Sequence, residues 1–448
     1  MTGNSEIRLG VVRGIQYGLI DETDDFTPRV RQLGAGGVRV FFYWSQLEPE
    51  PGRYDWTAVD AVLEQSDEDT ELWFTITASS PWGSTRATDF LPASVPHNPD
   101  GYAAMVRTLV EHCGGRVRYW QCENEPSSGL FWADSADDYV RHLARFRAAV
   151  KAGDPAGQVV LGGCVPGVFA NMDEPDSERE FFLHVIHAGH DSYDVFDLHP
   201  YGDPYLVPGM VANARAALRA AGGEKPVVVG EYNGPLLVEF PELFSELTDV
   251  LATEPLRPWH ALTVADFRSG QTVMTESRTA MERLYERMPE LPPALQMFML
   301  DCPPEAEAER HRLNADDIVI RNVLALSCGI DRTFCWQLGP DTPEPAERFS
   351  FLGLLFLKFA LFGYDNQQQP VGYPCASAFA ELSLRLDGAK AVERIPVPDR
   401  PDAYIFDLVG TEWQVGWLRR EYPAAEPNPL VWNNTALGSR PSYMRGGH

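Results

Sequence analysis

Two apolar strands in this sequence run into glutamate. One closes as Trp120-Gln121-Cys122-Glu123-Asn124-Glu125-Pro126, and a later one as Gly230-Glu231-Tyr232-Asn233. A carboxyl group can give or take a proton, and a carboxylate can attack an electrophilic carbon, so two of them at one cleft can divide those tasks. Alternation along a strand puts Glu123 and Glu125 on the same face, so spacing alone leaves open which of them joins Glu231. Arg39, in Gly37-Val38-Arg39-Val40, is a permanent cation suited to keeping a neighbouring carboxylate charged. His199 and Tyr201 in His199-Pro200-Tyr201 close another strand, Trp336 lies on the last one, and Trp82 follows a third in Ser79-Ser80-Pro81-Trp82-Gly83. Each has a plainer use, in an ordinary salt bridge, a satisfied core histidine or a packed ring. The ten histidines form no HExxH pair, and the seven cysteines fall at no zinc or redox spacing, so neither a metal nor a cofactor is expected.

The elements that must position these groups alternate between short apolar strands and amphipathic helices, the pattern of βα units around a parallel sheet. The expected strands are Gly14–Ile20, Gly37–Trp44, Glu71–Ala78, Val117–Glu125, Gln158–Val165, Val195–Tyr201, Pro226–Asn233 and Arg332–Leu338. Between them, Tyr102, Met105, Val106, Leu109 and Val110 form one helical stripe, and Tyr139, Leu143, Phe146 and Val150 another. Ser135 and Asp138 suit a capping box, Thr27-Pro28 a helix start, and Gly114-Gly115 and Gly222-Gly223 helix stops. Eight such units can close into a (β/α)8 TIM barrel, where active sites lie at the C-terminal strand ends. No GxGxxG or Walker sequence follows a strand, which weakens the doubly wound, nucleotide-binding alternative. The spacing places the barrel over 1–372, with a partly helical insertion at about 234–312 after strand seven. A small C-terminal β module and tail occupy 373–448, with a strand at Ala380–Leu386 and a hairpin around Gly410-Thr411.

Asn124-Glu125-Pro126 closing strand four, with Glu231 closing strand seven, resembles the clan A glycoside hydrolases. The stretch from Gly37 through Trp44 to Glu48-Pro49-Glu50-Pro51-Gly52-Arg53-Tyr54-Asp55-Trp56 is similar to the strand-two region of families 39, 5 and 42. The resemblance implies a retaining double displacement on a carbohydrate substrate, β-linked and neutral, with Glu125 as acid/base and Glu231 as nucleophile. It also implies Asn124 on the sugar 2-hydroxyl, Arg39 beside the nucleophile, His199 and Tyr201 near nucleophile or sugar, and Trp336 under the sugar ring. Trp82 is a candidate subsite wall. A retaining pair of carboxyls is expected about 5–5.5 Å apart. The rival readings are a catalytically silent barrel that binds carbohydrate, and a barrel enzyme of another class. The latter favours a lysine or metal ligands at strand ends, and Lys225 begins strand seven on the wrong face.

Composition bounds the partners. Asp and Glu number 64 against 37 Lys and Arg, a formal charge of −27 that repels phosphate backbones and anionic lipid. Neither nucleic acid nor a membrane is therefore expected as a partner. The start MTGNSEIRLG lacks the basic-then-apolar pattern of a signal peptide, and Cys113, Cys122, Cys164, Cys302, Cys328, Cys335 and Cys375 suit a reducing compartment, so a cytoplasmic location is expected. The most apolar stretch, Phe349 to Tyr364, carries Lys358 and reads as a buried helix, being shorter than the ~20 residues of a span. Oligomeric state is left open by the sequence.

Overall fold

The structure is a computed structural model and describes residues 6–13, 26–165, 167–173, 175–253, 275–339, 349, 351–356, 358–420 and 427–446. Its strands are β1 Arg8–Val12, β2 Gly37–Tyr43, β3 Glu71–Thr77, β4 Val117–Cys122, β5 Gln158–Val160, β6 Phe196–Asp197, β7 Val227–Tyr232 and β8 Arg332–Trp336. They form one parallel sheet in the order β5-β4-β3-β2-β1-β8-β7-β6. Two isolated parallel bridges, Val160 to Val195 and Cys164 to Leu198, join β5 to β6 and close the barrel.

Strand one lies earlier than the sequence suggested. Arg8–Val12 pairs with both β2 and β8, while the expected Gly14–Ile20 falls outside the described residues. Gly10 makes this register workable, because a Cβ there would stand 2.4 Å from the Phe334 ring that fills the barrel floor. Phe334 meets Trp73 edge-on at 5.1 Å, and Trp73 meets Tyr119 at 5.4 Å, so large rings plug the bottom and leave the top polar.

Among the described residues, eight helices surround the strands: α1 Thr27–Leu33, α2 Thr57–Gln65, α3 Pro99–Cys113, α4 Ala136–Gly153, α5 Ser177–Ala188, α6 Val207–Ala221, α7 Pro304–Ser327 and α8 Pro374–Leu386. The capping box at Ser135 and Asp138 starts α4, and Gly114 ends α3 in the left-handed conformation. Thr27 is the first residue of α1 rather than its cap, and its hydroxyl donates to the Gln65 carbonyl at 2.7 Å. α7 begins at Pro304, inside the span that the spacing assigned to the insertion, about 234–312.

The expected strand Ala380–Leu386 is instead the end of α8, the eighth barrel helix, which packs against α7 and α1. Leu382, Leu384 and Leu386 alternate with polar residues over a short window. The buried set is Cys375, Ala376, Phe379, Leu382 and Leu386, a helical spacing, and Leu384 is 71% exposed. Beyond it, Ala391–Ile395, Ala403–Val409, Trp413–Leu418 and Ser442–Arg445 make a four-stranded antiparallel sheet that includes the expected hairpin.

The insertion has a core of its own. Leu237, Phe240, Leu243, Leu247 and Val250 meet Met281, Leu284, Leu295 and Phe298, and Phe351 and Leu354 from the segment after β8 join them. A polar spine fastens it to the barrel: Asn314 Nδ2 donates to Asn233 Oδ1 at 2.7 Å and to the Gly234 carbonyl at 2.5 Å, and Arg310 donates to the same carbonyl at 3.2 Å. From the stretch Phe349 to Tyr364, the described residues form a helix at Phe351–Phe356 and a strand at Phe362–Tyr364. Among the described residues, no helix is long and apolar enough to cross a membrane.

Candidate active site

β4 ends at Cys122, and the alternation that put Glu123 and Glu125 on one face ends with it. Both glutamates take left-handed backbone, φ 62° at Glu123 and 38° at Glu125, a conformation that costs a non-glycine residue roughly 1–2 kcal/mol. Non-glycine strain of this kind gathers at functional loops. The two side chains part. Glu123 Oε1 accepts from the Ala78 backbone N–H at 2.9 Å and lies 3.0 Å from His142 Nε2, tying β3 and α4 to the loop. Glu125 turns to the barrel mouth, where its Oε1 lies 2.8 Å from His199 Nδ1.

Opposite it, Glu231 near the end of β7 has donors on both oxygens. Arg39 Nη1 donates to Oε2 at 3.0 Å, and the Tyr201 hydroxyl to Oε1 at 2.9 Å. Carboxylate oxygens of Glu125 and Glu231 and a ring nitrogen of His199 all lie within 4.8 Å of one another.

Arg39 is fully buried and holds four acceptors in its planar fork. Besides Glu231 these are the Gly230 carbonyl at 2.9 Å, Thr75 Oγ1 at 3.0 Å and Asn124 Oδ1 at 2.7 Å. Its guanidinium also lies over the rings of Phe41 and Trp73, at 4.7 and 5.3 Å. Asn124 is thereby fixed through its oxygen, and its buried Nδ2 has no acceptor among the described residues. The Trp336 indole N–H is likewise buried without an acceptor, and its ring packs edge-on to Phe356 at 5.3 Å. Trp82 packs on Trp44 at 4.9 Å and donates to the Glu48 carbonyl at 3.1 Å, so its described contacts join the loops after β2 and β3.

Burial gives these groups unequal proton affinities. It pushes Glu125 up; the hydrogen bond and charge of His199 pull it back and Glu231 pushes it further, with a net raised value. Burial opposes charge on His199, but Asp197, Glu231 and the bonds to Asp197 and Glu125 outweigh it and lift the imidazole to about 10. Burial and the neighbouring carboxylates hold the Tyr201 phenol well above its ordinary value, so it stays a donor.

Two sets of donors are close enough to share an ion, Glu125 with His199 and Glu231, and Cys122 with Glu123 and His142. Burial raises the Cys122 thiol well above its ordinary value and His199 is lifted to about 10, so each set holds a proton that an ion would have to displace.

Residues that the sequence reading passed over underlie the site. Gln121 Nε2 donates to Asp197 Oδ2 at 2.7 Å, and its oxygen accepts from Thr75 Oγ1 at 2.7 Å. Asp197 also lies 3.0 Å from His199 Nε2. Phe359 stands behind both Tyr201 and Trp336, with ring centroids at 6.4 and 6.1 Å. Gln121 and Asp197 had a signal: each is polar in an apolar run, two residues before a residue already singled out. Phe359 had none.

The chain matches no protein-family model and no curated protein sequence. Solved structures do share its fold. A family 39 glycoside hydrolase from Bacteroides cellulosilyticus aligns over 99% of this chain and 81% of its own, at 14% identity and a TM-score of 0.59. A glucosidase from Croceicoccus marinus aligns over 98% and 82%, at 16% identity and TM-score 0.54. A GH5_18 protein from Streptomyces cattleya, determined in complex with Manb1-4GlcNAc, aligns over 85% and 81%, at 15% identity and TM-score 0.51. The chain thus has the (β/α)8 fold seen in these glycoside hydrolase structures.

Proposed function

We propose that this chain is a retaining glycoside hydrolase acting on a neutral, β-linked glycoside or short oligosaccharide. The observation that carries this reading is the close approach, within 4.8 Å, of carboxylate oxygens on Glu125 and Glu231 in opposite environments. One carboxyl is desolvated with a raised proton affinity, and the other takes donors from Arg39 and Tyr201. Carboxyls about 5–5.5 Å apart suit direct attack, whereas inversion needs about 6.5–9.5 Å to admit a water.

In the first step Glu231 attacks the anomeric carbon while Glu125 gives its proton to the departing oxygen. Arg39 and Tyr201 hold the attacking carboxylate in line, and the unpaired Asn124 amide donates to the sugar 2-hydroxyl. Esterification removes the charge on Glu231 and with it one influence that raises Glu125. Glu125 then takes a proton from water, which attacks the glycosyl-enzyme and restores the original configuration. Trp336, steadied by Phe356 and Phe359, offers a ring face to the sugar. The insertion starts directly after β7 and packs on the segment after β8, so it bounds one side of the mouth and favours small products from chain ends.

A panel of aryl β-glycosides (xyloside, glucoside, galactoside, arabinoside and glucuronide) tests the reading. Release of phenol, with proton NMR showing the first-formed sugar in the β configuration, is expected. An inverted product refutes the double displacement. No turnover on any member, together with carbohydrate binding, makes the barrel a silent binder.

A further inference from the structure

Asp197 is a carboxylate with no exposure, one layer below the mouth, in a position that the proposed mechanism does not use. It accepts from three directions: the Gly230 backbone N–H at 2.6 Å, Gln121 Nε2 at 2.7 Å, and His199 Nε2 at 3.0 Å. Two glycines cut its socket. A Cβ at Gly230 would stand 2.4 Å from Asp197 Oδ1, and one at Gly163 would stand 2.1 Å from His199 Nε2.

We propose that Asp197 is a positioning residue for the acid/base: it holds His199 as a doubly protonated cation whose Nδ1–H is fixed on Glu125 Oε1. This rests on the glycosidase reading for its consequence in catalysis, though not for the protonation itself. A neutral ring with its single proton toward Asp197 would present a bare Nδ1 to Glu125. That lone pair would take the acid's proton into a hydrogen bond and turn it away from substrate. With Nδ1 protonated, Oε1 is occupied as an acceptor and the transferable proton stays on Oε2. The same cation then steadies Glu125 as a carboxylate when it must act as base.

The charged and titratable groups facing this ring come from every neighbouring strand. They are Asp197 on β6, Glu125 after β4, Glu231 on β7 with Arg39 from β2 beside it, Cys164 after β5 and Tyr201 after β6. Burial keeps the Cys164 thiol and the Tyr201 phenol neutral, so three carboxyls and one guanidinium set the balance.

Asp197→Asn tests this. The amide carries no charge in either orientation, so the ring loses the counter-charge that held its second proton and becomes neutral. One negative and one positive charge are lost together. The lost cation is the nearer to Glu125, so the proton affinity of Glu125 rises. The expected result is an alkaline limb of kcat/KM moved up by about one pH unit or more, with a matching rise in the Glu125 carboxyl titration followed by carbon NMR. Nitrogen NMR of His199 should show both ring nitrogens protonated up to pH 8 in the unaltered protein, and one in the variant.

A neutral His199 at pH 7 in the unaltered protein overturns the proposal, whether or not the variant folds. So does a variant with lower activity but an unmoved limb and an unmoved Glu125 titration. The NMR measurements need no substrate, so a failed glycoside panel counts against the proposed function and leaves this test intact.

Discussion

Replacing Glu123 and Glu125 in turn should separate folding from chemistry in two residues that sit two positions apart. Glu123 Oε1 accepts from Ala78 N–H and bonds His142, both buried. Truncation to alanine orphans two donors, at about 1–3 kcal/mol each. Its other oxygen is buried without a partner, so losing it returns part of that, and a net destabilisation of about 2–4 kcal/mol is expected. At an unfolding entropy of about 2.1 cal/mol/K per residue, a chain of 448 residues shifts Tm by about 1 °C per kcal/mol. Glu123→Ala should therefore melt some 2–4 °C lower and keep most of its turnover. Glu125→Ala should strike turnover instead. It removes a desolvated carboxyl, which offsets part of the cost of orphaning the buried His199 Nδ1–H, so Tm should fall by no more than about 1–2 °C. Turnover of substrates with alkoxide leaving groups should fall by about 10²–10⁴-fold. Dinitrophenyl glycosides, whose leaving group needs no proton, should still load the enzyme, and azide should release a glycosyl azide of retained configuration. Scanning fluorimetry and azide rescue on both variants give the answer. If Glu123→Ala gives the retained azide and Glu125→Ala does not, the assignment of roles on the strand-four loop is wrong.

The other expectations are simpler to state. Glu231→Ala removes the attacking group, so azide should restore turnover of activated glycosides with an inverted product; a retained azide would contradict its role. Arg39→Lys keeps the charge but loses a four-acceptor fork, so kcat/KM should drop by about 10²-fold or more, and near-normal kinetics would show that charge alone suffices. Phe359→Ala empties the space behind Tyr201 and Trp336 and should cost about 3–5 kcal/mol by denaturant titration, with turnover reduced in the protein that remains folded. Because Glu125 must hold its proton and its affinity is raised, kcat/KM should fall only as pH passes above the ordinary carboxylate range; a fall centred near pH 4 would contradict that.

The sequence made the strand ends legible because a barrel demands one face of each strand to be apolar and the C-terminal ends to be chemical. That logic located Glu231, His199 and Tyr201, and the family resemblance added Arg39; in the structure Arg39 and Tyr201 donate to Glu231, and His199 lies on Glu125. It could not separate Glu123 from Glu125, since the two-residue repeat holds only while the backbone is extended, and left-handed φ values end it at Cys122. Strand one was misplaced because Arg8-Leu9-Gly10-Val11-Val12 carries a charge and a glycine, and only the Phe334 ring across the barrel explains that glycine. The helix α8 was hidden by a Leu-polar alternation six residues long, too short to distinguish periods two and 3.6. Asp197 and Gln121 were illegible as partners, since what makes them affordable in a core is a hydrogen bond between strands two apart.

The bridges that close the barrel between β5 and β6 are few, and β6 has only two strand residues. Gln121 on β4 reaches past β5 to Asp197 on β6, so a side-chain stitch spans the seam where the backbone lacing is thin. Glu125 lies on one flank of that seam and His199 on the other. Mechanical integrity and proton placement therefore hang on the same few atoms.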